Sequence, residues 1–278
     1  MKLQIAAGAA CCIFLFCVDI TLLRDENGGI SRKRYAFMSL DVLYEGNHLI
    51  AVNKPAGILS QQDYTGQPSL LDMVKEYVKV RYNKPGNVFI GLVHRLDRPV
   101  SGSIVFARTS KAAKRLSEQF REKDTEKIYC AVVGTAGYTA LHDNEAGAWI
   151  CLEQNVERRG DKSVVVKNKT AASQRCILEY TPAAFTEREA LLLVRLITGR
   201  KHQIRAQLAS MGMPVLGDRH YGASPLQVTE AICLHSFSLK IMHPTTGDYL
   251  EFRSPLPRYM SERFNGFEDI DGVLGEYI

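Results

Sequence analysis

Apolar and polar positions along the chain sort into short runs, most of them too brief for long amphipathic helices. Leu49-Ile50-Ala51-Val52-Asn53 has the character of a strand and runs into a Lys54-Pro55-Ala56-Gly57 turn. Ser69 can cap a helix with the stripe Leu71, Val74 and Val78, and Asp72 falls in the first turn, where the helix dipole favours a carboxylate. Gly91-Leu92-Val93 is strand-like until charge arrives at His94, Arg95, Asp97 and Arg98. After Pro99, Ser101 and Gly102 the strand character resumes in Ser103-Ile104-Val105-Phe106-Ala107, which predicts a hairpin. Thr109 or Ser110 caps a second helix to about Lys123. Ala113, Leu116 and Phe120 form its apolar face, and Lys111, Lys114, Arg115, Arg121 and Lys123 the other. That cationic face suits water, with Glu118 and Glu122 offsetting it, as well as it suits phosphate.

Further strands are predicted over residues 128–133, 163–166, 174–180 and 190–197, and a loop over 137–144. The run Ala190-Leu191-Leu192-Leu193-Val194-Arg195-Leu196-Ile197 is almost continuously apolar, as expected of a strand in the middle of a sheet. Thr198-Gly199-Arg200 turns into a helix over 201–211 with the stripe Ile204, Leu208 and Met211, and Gly212 as its C-cap. Leu239-Lys240-Ile241-Met242 and Tyr249-Leu250-Glu251-Phe252 flank a turn and predict a late hairpin. Strands and helices mix without a regular β-α-β alternation. The expected fold class is α+β, with a mainly antiparallel, mixed central sheet flanked by helices and loops.

Composition adds bounds. A chain of 278 residues with 46% hydrophobic content can bury one large core or two small ones. A formal charge of +5 permits a polyanionic partner without requiring one. Seven cysteines in no paired spacing are not a disulfide framework, so the expected compartment is reducing and the expected location cytoplasmic. Residues 3–23 are mostly apolar, interrupted by Asp19 and Thr21. Three readings of that segment stand: an extension upstream of a domain that starts near Met38, a membrane or export signal, or a core element. The expected division is an extension over 1–37 and one globular domain over 38–278.

Asp97 follows a strand end in a turn stiffened by Pro99 and Gly102. A carboxylate there can be a base, a nucleophile, a metal ligand or a simple cap of local amides. Arg95 and Arg98 favour its anion, which suits a nucleophile or an ion pair better than a general acid. The dispersed histidines and cysteines do not make a metal site at the usual spacing, so none is expected. No GxxxxGK[ST] or GxGxxG loop supports a nucleotide cofactor, and no G-x-S-x-G elbow surrounds Ser101. The second cluster, Thr198-Gly199-Arg200-Lys201-His202-Gln203-Ile204-Arg205, sets cations at a strand-to-helix junction. It reads either as an anion site or as a capped surface turn.

Taken together, these residues resemble a family. His94-Arg95-Leu96-Asp97-Arg98-Pro99-Val100-Ser101-Gly102 is similar to the catalytic loop of the RluA-type pseudouridine synthases. Ala51-Val52-Asn53-Lys54-Pro55-Ala56-Gly57, Glu126-Lys127-Ile128-Tyr129-Cys130-Ala131, the Thr198 cluster with Pro214-Val215-Leu216-Gly217-Asp218, and Leu234-His235-Ser236 with His243-Pro244-Thr245 agree with it in order. Val100 and Lys201 stand where that family commonly has threonine, or threonine or serine, and its separate basic RNA-binding module has no counterpart in the first 37 residues.

The resemblance implies isomerisation of a uridine in structured ribosomal or transfer RNA to pseudouridine, without a cofactor. Asp97 is then the nucleophile, by attack on the sugar or through a glycal-type route, Tyr129 stacks on the base and assists removal of the C5 proton, and Arg205 holds the aspartate. Leu234 lines the base pocket. Arg95 fills the place of the extruded nucleotide. Lys54, Arg200 and Lys201 contact phosphates. The implied partner is an RNA stem-loop, and the enzyme is expected to be a monomer. Two other classes remain at this point: a non-catalytic RNA-binding protein on the same scaffold, and a glycoside or nucleoside hydrolase with Asp218 as its second carboxylate.

Overall fold

β9 (Glu189–Leu196) lies deep in the sheet, as its apolar run requires: β5 (Glu126–Gly134) pairs with it on one side and β8 (Ser173–Phe185) on the other, both antiparallel. In the computed structural model the described residues are 40–134, 148–226, 230–264 and 270–275, all within one compact unit, Leu40–Ile278. The extension over 1–37 and the loop over 137–144 lie outside the described residues.

The remaining strands are β1 (Asp41–Glu45), β2 (Leu49–Lys54), β3 (Gly91–Leu92), β4 (Ser101–Ala107), β6 (Ile150–Arg159), β7 (Lys162–Val166), β10 (Leu234–Met242) and β11 (Tyr249–Arg253). The order across the sheet is β1-β2-β4-β10-β5-β9-β8-β6-β7, with β3 paired to β4 and β11 to β10. All pairs are antiparallel except β4 with β10, where Ser101 and Gly102 sit in parallel register with His235 and Ser236. This is the mixed, mainly antiparallel α+β sheet expected. β1 and β6 have no counterpart in the sequence reading. β6 alternates exposed and partly buried positions and carries Glu153, Gln154, Asn155, Glu157, Arg158 and Arg159, so its pairing with β7 and β8, rather than an apolar run, defines it.

The helices follow their caps. α1 (Leu70–Arg81) starts at Ser69, where Asp72 returns a carboxylate to the Ser69 amide, and buries Leu70, Val74 and Val78. The buried stripe thus begins at Leu70; the expected Leu71 is only partly buried. α2 (Ser110–Glu122) is capped by the Thr109 hydroxyl, which accepts the Ala112 amide. Ala112 and Leu116 are its buried residues, packed against Val105, Ala107, Leu239 and Ile241 of the sheet. Of its cations, Arg115 donates to the Pro244 carbonyl and Arg121 pairs with Glu118 and Glu122.

α3 (Gln203–Ser210) is two residues shorter at its start than expected, because His202 takes a left-handed φ of 54°. Its first six residues are buried, charged and polar ones included. Met213 donates back to the Leu208 carbonyl across Gly212 (φ 76°), which closes the helix as its C-cap glycine predicts. Two short helices follow β11, α4 (Arg258–Ser261) and α5 (Ile270–Gly275). Among the described residues no helix is long and apolar enough to cross a membrane.

Candidate active site

The segment between β3 and β4 that carries Asp97 is held from several directions. The Ser60 hydroxyl donates to the Leu96 carbonyl (2.8 Å) and accepts the Leu96 amide (3.1 Å). The Gly57 amide donates to the Arg98 carbonyl (2.8 Å), and Arg98 Nε donates to the Gly57 carbonyl (2.9 Å). Arg98 also pairs with Glu230 at 2.9 Å. The Ile232 amide reaches the Pro99 carbonyl (3.2 Å).

Gly102 ends the segment at φ 114°, and a Cβ there would lie 2.3 Å from the Ser236 carbonyl oxygen. The backbones of β4 and β10 approach too closely for any side chain, and no L residue other than glycine takes that φ without strain.

Lys54 overturns its expected role. Its side chain is fully buried at the end of β2, and Nζ donates to the carbonyls of Pro55 (3.0 Å), Arg98 (3.1 Å) and Val100 (2.6 Å). It cannot contact RNA phosphate, because all its protons point into the loop. Burial lowers its pKa to about 7, against the opposing pull of Asp97. Lys54 is a clamp on the backbone either side of Pro99.

Asp97 and Arg205, 108 residues apart, meet at 3.0 Å between Oδ2 and Nη1. Arg205 also forms two bonds to Asp218: Nε to Oδ2 at 2.6 Å and Nη2 to Oδ1 at 2.9 Å. Burial disfavours the charge on Arg205, but the bonds and charge of Asp218, joined by Asp97, outweigh it and hold its pKa above the ordinary guanidinium value. The Asp218 side chain is 1% exposed and that of Asp97 is 29% exposed. One guanidinium therefore serves a sealed carboxylate and an accessible one.

His202 and Tyr221 complete the cluster, and neither was singled out from sequence. His202 Nε2 lies 3.5 Å from Asp97 Oδ2, and its Nδ1 is 3.1 Å from the Tyr221 hydroxyl. The Tyr221 oxygen in turn accepts the Ser163 amide of β7 at 2.9 Å, and its ring lies under the Arg205 guanidinium at 5.1 Å. Burial pushes the His202 pKa down to about 4, more than Asp97 raises it, so the ring is neutral at physiological pH. No sequence pattern marks either residue: the left-handed φ of 54° at His202 turns its ring towards Asp97, and the fold brings Tyr221 to it.

Tyr129, on β5, is 8% exposed, and burial raises its phenol to about 12, with Ser236 opposing and Asp97 reinforcing. It is an uncharged hydroxyl at neutral pH. Leu234 is buried beside it, paired with Ala131 across β5–β10. Arg95, Arg200 and Lys201 are exposed. The structure thus joins Asp97 and Arg205 directly and brings the field of Asp97 to Tyr129, while Lys54 is turned inward, away from the phosphate contact expected of it.

The family model for RNA pseudouridylate synthase matches residues 48–210. The dual-specificity RNA pseudouridine synthase RluA of Haemophilus influenzae is 34% identical over 217 residues, 77% of this chain and 92% of its own. RluA of Escherichia coli K12 is 32% identical over 220 residues, 78% of this chain and 93% of its own. Among solved structures, human RNA pseudouridylate synthase domain containing 4 superposes with a TM-score of 0.63 at 22% identity, covering 80% of this chain and 90% of that one, which speaks for the fold. The chain belongs to the RNA pseudouridylate synthase family. Within it, the relatives mark an RluA-type enzyme, an isomerase that makes pseudouridine in RNA.

Proposed function

We propose that the enzyme isomerises a specific uridine presented by a stem-loop of ribosomal or transfer RNA, with Asp97 as the nucleophile. The reading rests on one arrangement: a partly open carboxylate held by a buried arginine that is itself neutralised by a second, sealed carboxylate.

Arg205 fixes the Asp97 carboxylate through Oδ2, and His202 lies on the same oxygen, while no described residue bonds Oδ1. Oδ1 is the oxygen left to act at the sugar. The N1–C1′ bond of uridine breaks, the uracil turns in the pocket, and a C5–C1′ bond forms. The C5 proton leaves to solvent and N1 takes one up, so atoms balance without a cofactor. Tyr129 stacks on the base and donates its neutral hydroxyl; at a pKa of about 12 it is a poor base at neutral pH. Leu234 supplies the apolar wall that keeps water from the detached base. Arg95, exposed on the same loop as Asp97, takes the place of the extruded nucleotide. Arg200 and Lys201 hold phosphates, which position RNA without reading its sequence.

A hydrolase lacks its second carboxylate, since Asp218 is sealed in the bidentate pair with Arg205. The domain over 38–278 carries all these residues, and the enzyme works as a cytoplasmic monomer. The test is tritium release from RNA labelled with 5-tritiated uridine. Release by the wild type and none by Asp97→Asn is expected. Free uracil would instead indicate a hydrolase, and RNA binding without either product a binding protein.

A further inference from the structure

His202 lies against the nucleophile yet has no part in the bonds that the reaction makes and breaks. Its Nε2 is 3.5 Å from Asp97 Oδ2, the oxygen that Arg205 also reaches at 3.0 Å. Whether this ring attracts or repels the carboxylate depends on which of its nitrogens carries the proton. The neighbours of its other edge decide that. His202 Nδ1 is 3.1 Å from the Tyr221 hydroxyl, whose oxygen already accepts the Ser163 amide at 2.9 Å.

Donors and acceptors along this row match in one way. Burial raises the Tyr221 phenol above its usual pKa, so the hydroxyl keeps its proton. Among the described residues His202 Nδ1 is the one acceptor within its reach. A proton on Nδ1 would leave the phenolic proton without a partner and turn the bare Nε2 lone pair on the Asp97 carboxylate. A proton on both nitrogens is opposed by burial, which outweighs the pull of Asp97 and keeps the ring neutral at physiological pH. The assignment left is Ser163 N–H to the Tyr221 oxygen, Tyr221 O–H to His202 Nδ1, and His202 Nε2–H towards Asp97 Oδ2. The backbone points the same way. His202 holds a left-handed φ of 54°, which is costly for any residue but glycine and here aims the ring at Asp97.

We propose that His202 is a positioning residue for the reaction, a neutral hydrogen-bond donor to Asp97 Oδ2 whose tautomer is set by Tyr221. The inference rests on Asp97 as the nucleophile and gives Arg205 an uncharged companion on the same oxygen. Two donors on Oδ2 leave Oδ1 to face the sugar. As the N1–C1′ bond breaks, its electron pair leaves with the uracil and Oδ1 supplies the pair that bonds C1′. As C5 bonds to C1′, that pair returns to Asp97. Negative charge thus drains from the carboxylate and comes back to it. The Nε2–H bond, long at 3.5 Å, shortens as the substrate is enclosed and meets the returning charge. The proton stays on Nε2 throughout, so His202 is neither acid nor base.

Two readouts test this: tritium release from total RNA labelled with 5-tritiated uridine in cells that lack this enzyme, and nitrogen-15 NMR of the His202 ring at neutral pH. The wild type should show a protonated Nε2 and a bare Nδ1. Tyr221→Phe keeps the ring beneath Arg205 and removes the hydroxyl, so both tautomers should appear and kcat should fall several-fold. His202→Asn is too short to reach Asp97. It should lower kcat about ten- to a hundredfold, the value of one hydrogen bond to a charged group, with KM within about twofold of the wild type. His202→Gln carries an amide N–H to the place of Nε2 and should restore kcat to within about threefold. A role confined to the turn predicts the reverse order, because asparagine takes a left-handed φ more readily than glutamine. Adding Tyr221→Phe to His202→Asn should cost nothing further.

A bare Nε2 in the wild type overturns the proposal, and so does a faster enzyme with asparagine than with glutamine or a loss confined to KM. If the substituted enzymes fail to fold, the wild-type spectrum decides alone. If the wild type releases no tritium, the synthase reading fails, and the spectrum still shows whether Nε2 presents its proton to Asp97.

Discussion

The two carboxylates on Arg205 should part company when each is neutralised. Asp218→Asn removes the sealed partner, which holds the guanidinium through two bonds of 2.6 and 2.9 Å at 1% exposure. Breaking a buried pair from one side costs about 3 to 5 kcal/mol; the amide retains one acceptor, so about 3 kcal/mol is expected. For a domain of this size that corresponds to a fall in Tm of about 6 to 12 °C. Arg205 then keeps a single bond to Asp97, and the nucleophile loses its fixed orientation, which should slow tritium release about a hundredfold. Asp97→Asn, by contrast, alters a group that is 29% exposed and makes one bond at 3.0 Å, while Asp218 still neutralises the arginine. Its cost should stay below about 1 kcal/mol, with Tm within about 3 °C of the wild type and activity abolished. Differential scanning calorimetry beside the tritium assay reads both quantities on the same preparations. Equal destabilisation by the two variants, or full activity in Asp218→Asn, would refute this division of labour.

Other outcomes follow from the same geometry. Gly102→Ala forces a Cβ to 2.3 Å from the Ser236 carbonyl at φ 114° and should cost more than about 3 kcal/mol, seen as loss of soluble protein or a collapsed melting transition. Lys54→Met leaves the Pro55 and Val100 carbonyls without the ammonium that each accepts, so activity should drop about tenfold or more in the tritium assay while the RNA salt slope stays unchanged, because no phosphate contact is lost. His235 is buried between the Ser101 hydroxyl and the Ser254 carbonyl, and burial lowers its pKa to about 4. The unfolded chain binds this proton more tightly, so stability is full above about pH 6.5 and declines towards pH 4, by about 3 kcal/mol from this group. Urea unfolding at pH 7.5 and 4.5 should show that loss, and His235→Gln should reduce it.

Much of this architecture was legible because its signals are local. The unbroken apolar run of β9 announces a central strand, and Ser69, Thr109 and Gly212 mark helix ends by their own hydrogen bonds. β1 and β6 escaped because their partners define them: Val42 and Tyr44 bracket a register shift, and β6 shows mostly polar side chains to water. The site divides in the same way. Asp97, Tyr129 and Arg205 stand in recognisable runs, so the pairing of Asp97 with Arg205 could be anticipated across 108 residues. Lys54 misled because a lysine beside a proline turn looks like a surface cation. Only the fold shows three carbonyls converging on it. His202 and Tyr221 were passed over for a related reason: a left-handed φ at His202, not a sequence pattern, turns its ring towards Asp97.

The parallel pairing of β4 with β10 has a consequence for when the enzyme becomes competent. β10 lies between β4 and β5 although residues 234–242 are synthesised about a hundred residues or more after either. Until it emerges from the ribosome, the strand that follows Asp97 and the strand that bears Tyr129 have no common neighbour. Gly102 has no backbone to pack against, and the base pocket lacks Leu234. Such non-local closure is slow and comes late in folding. A partly made chain can therefore carry every charged residue of the loop and still be unable to modify the RNA around it, so translation itself delays the activity.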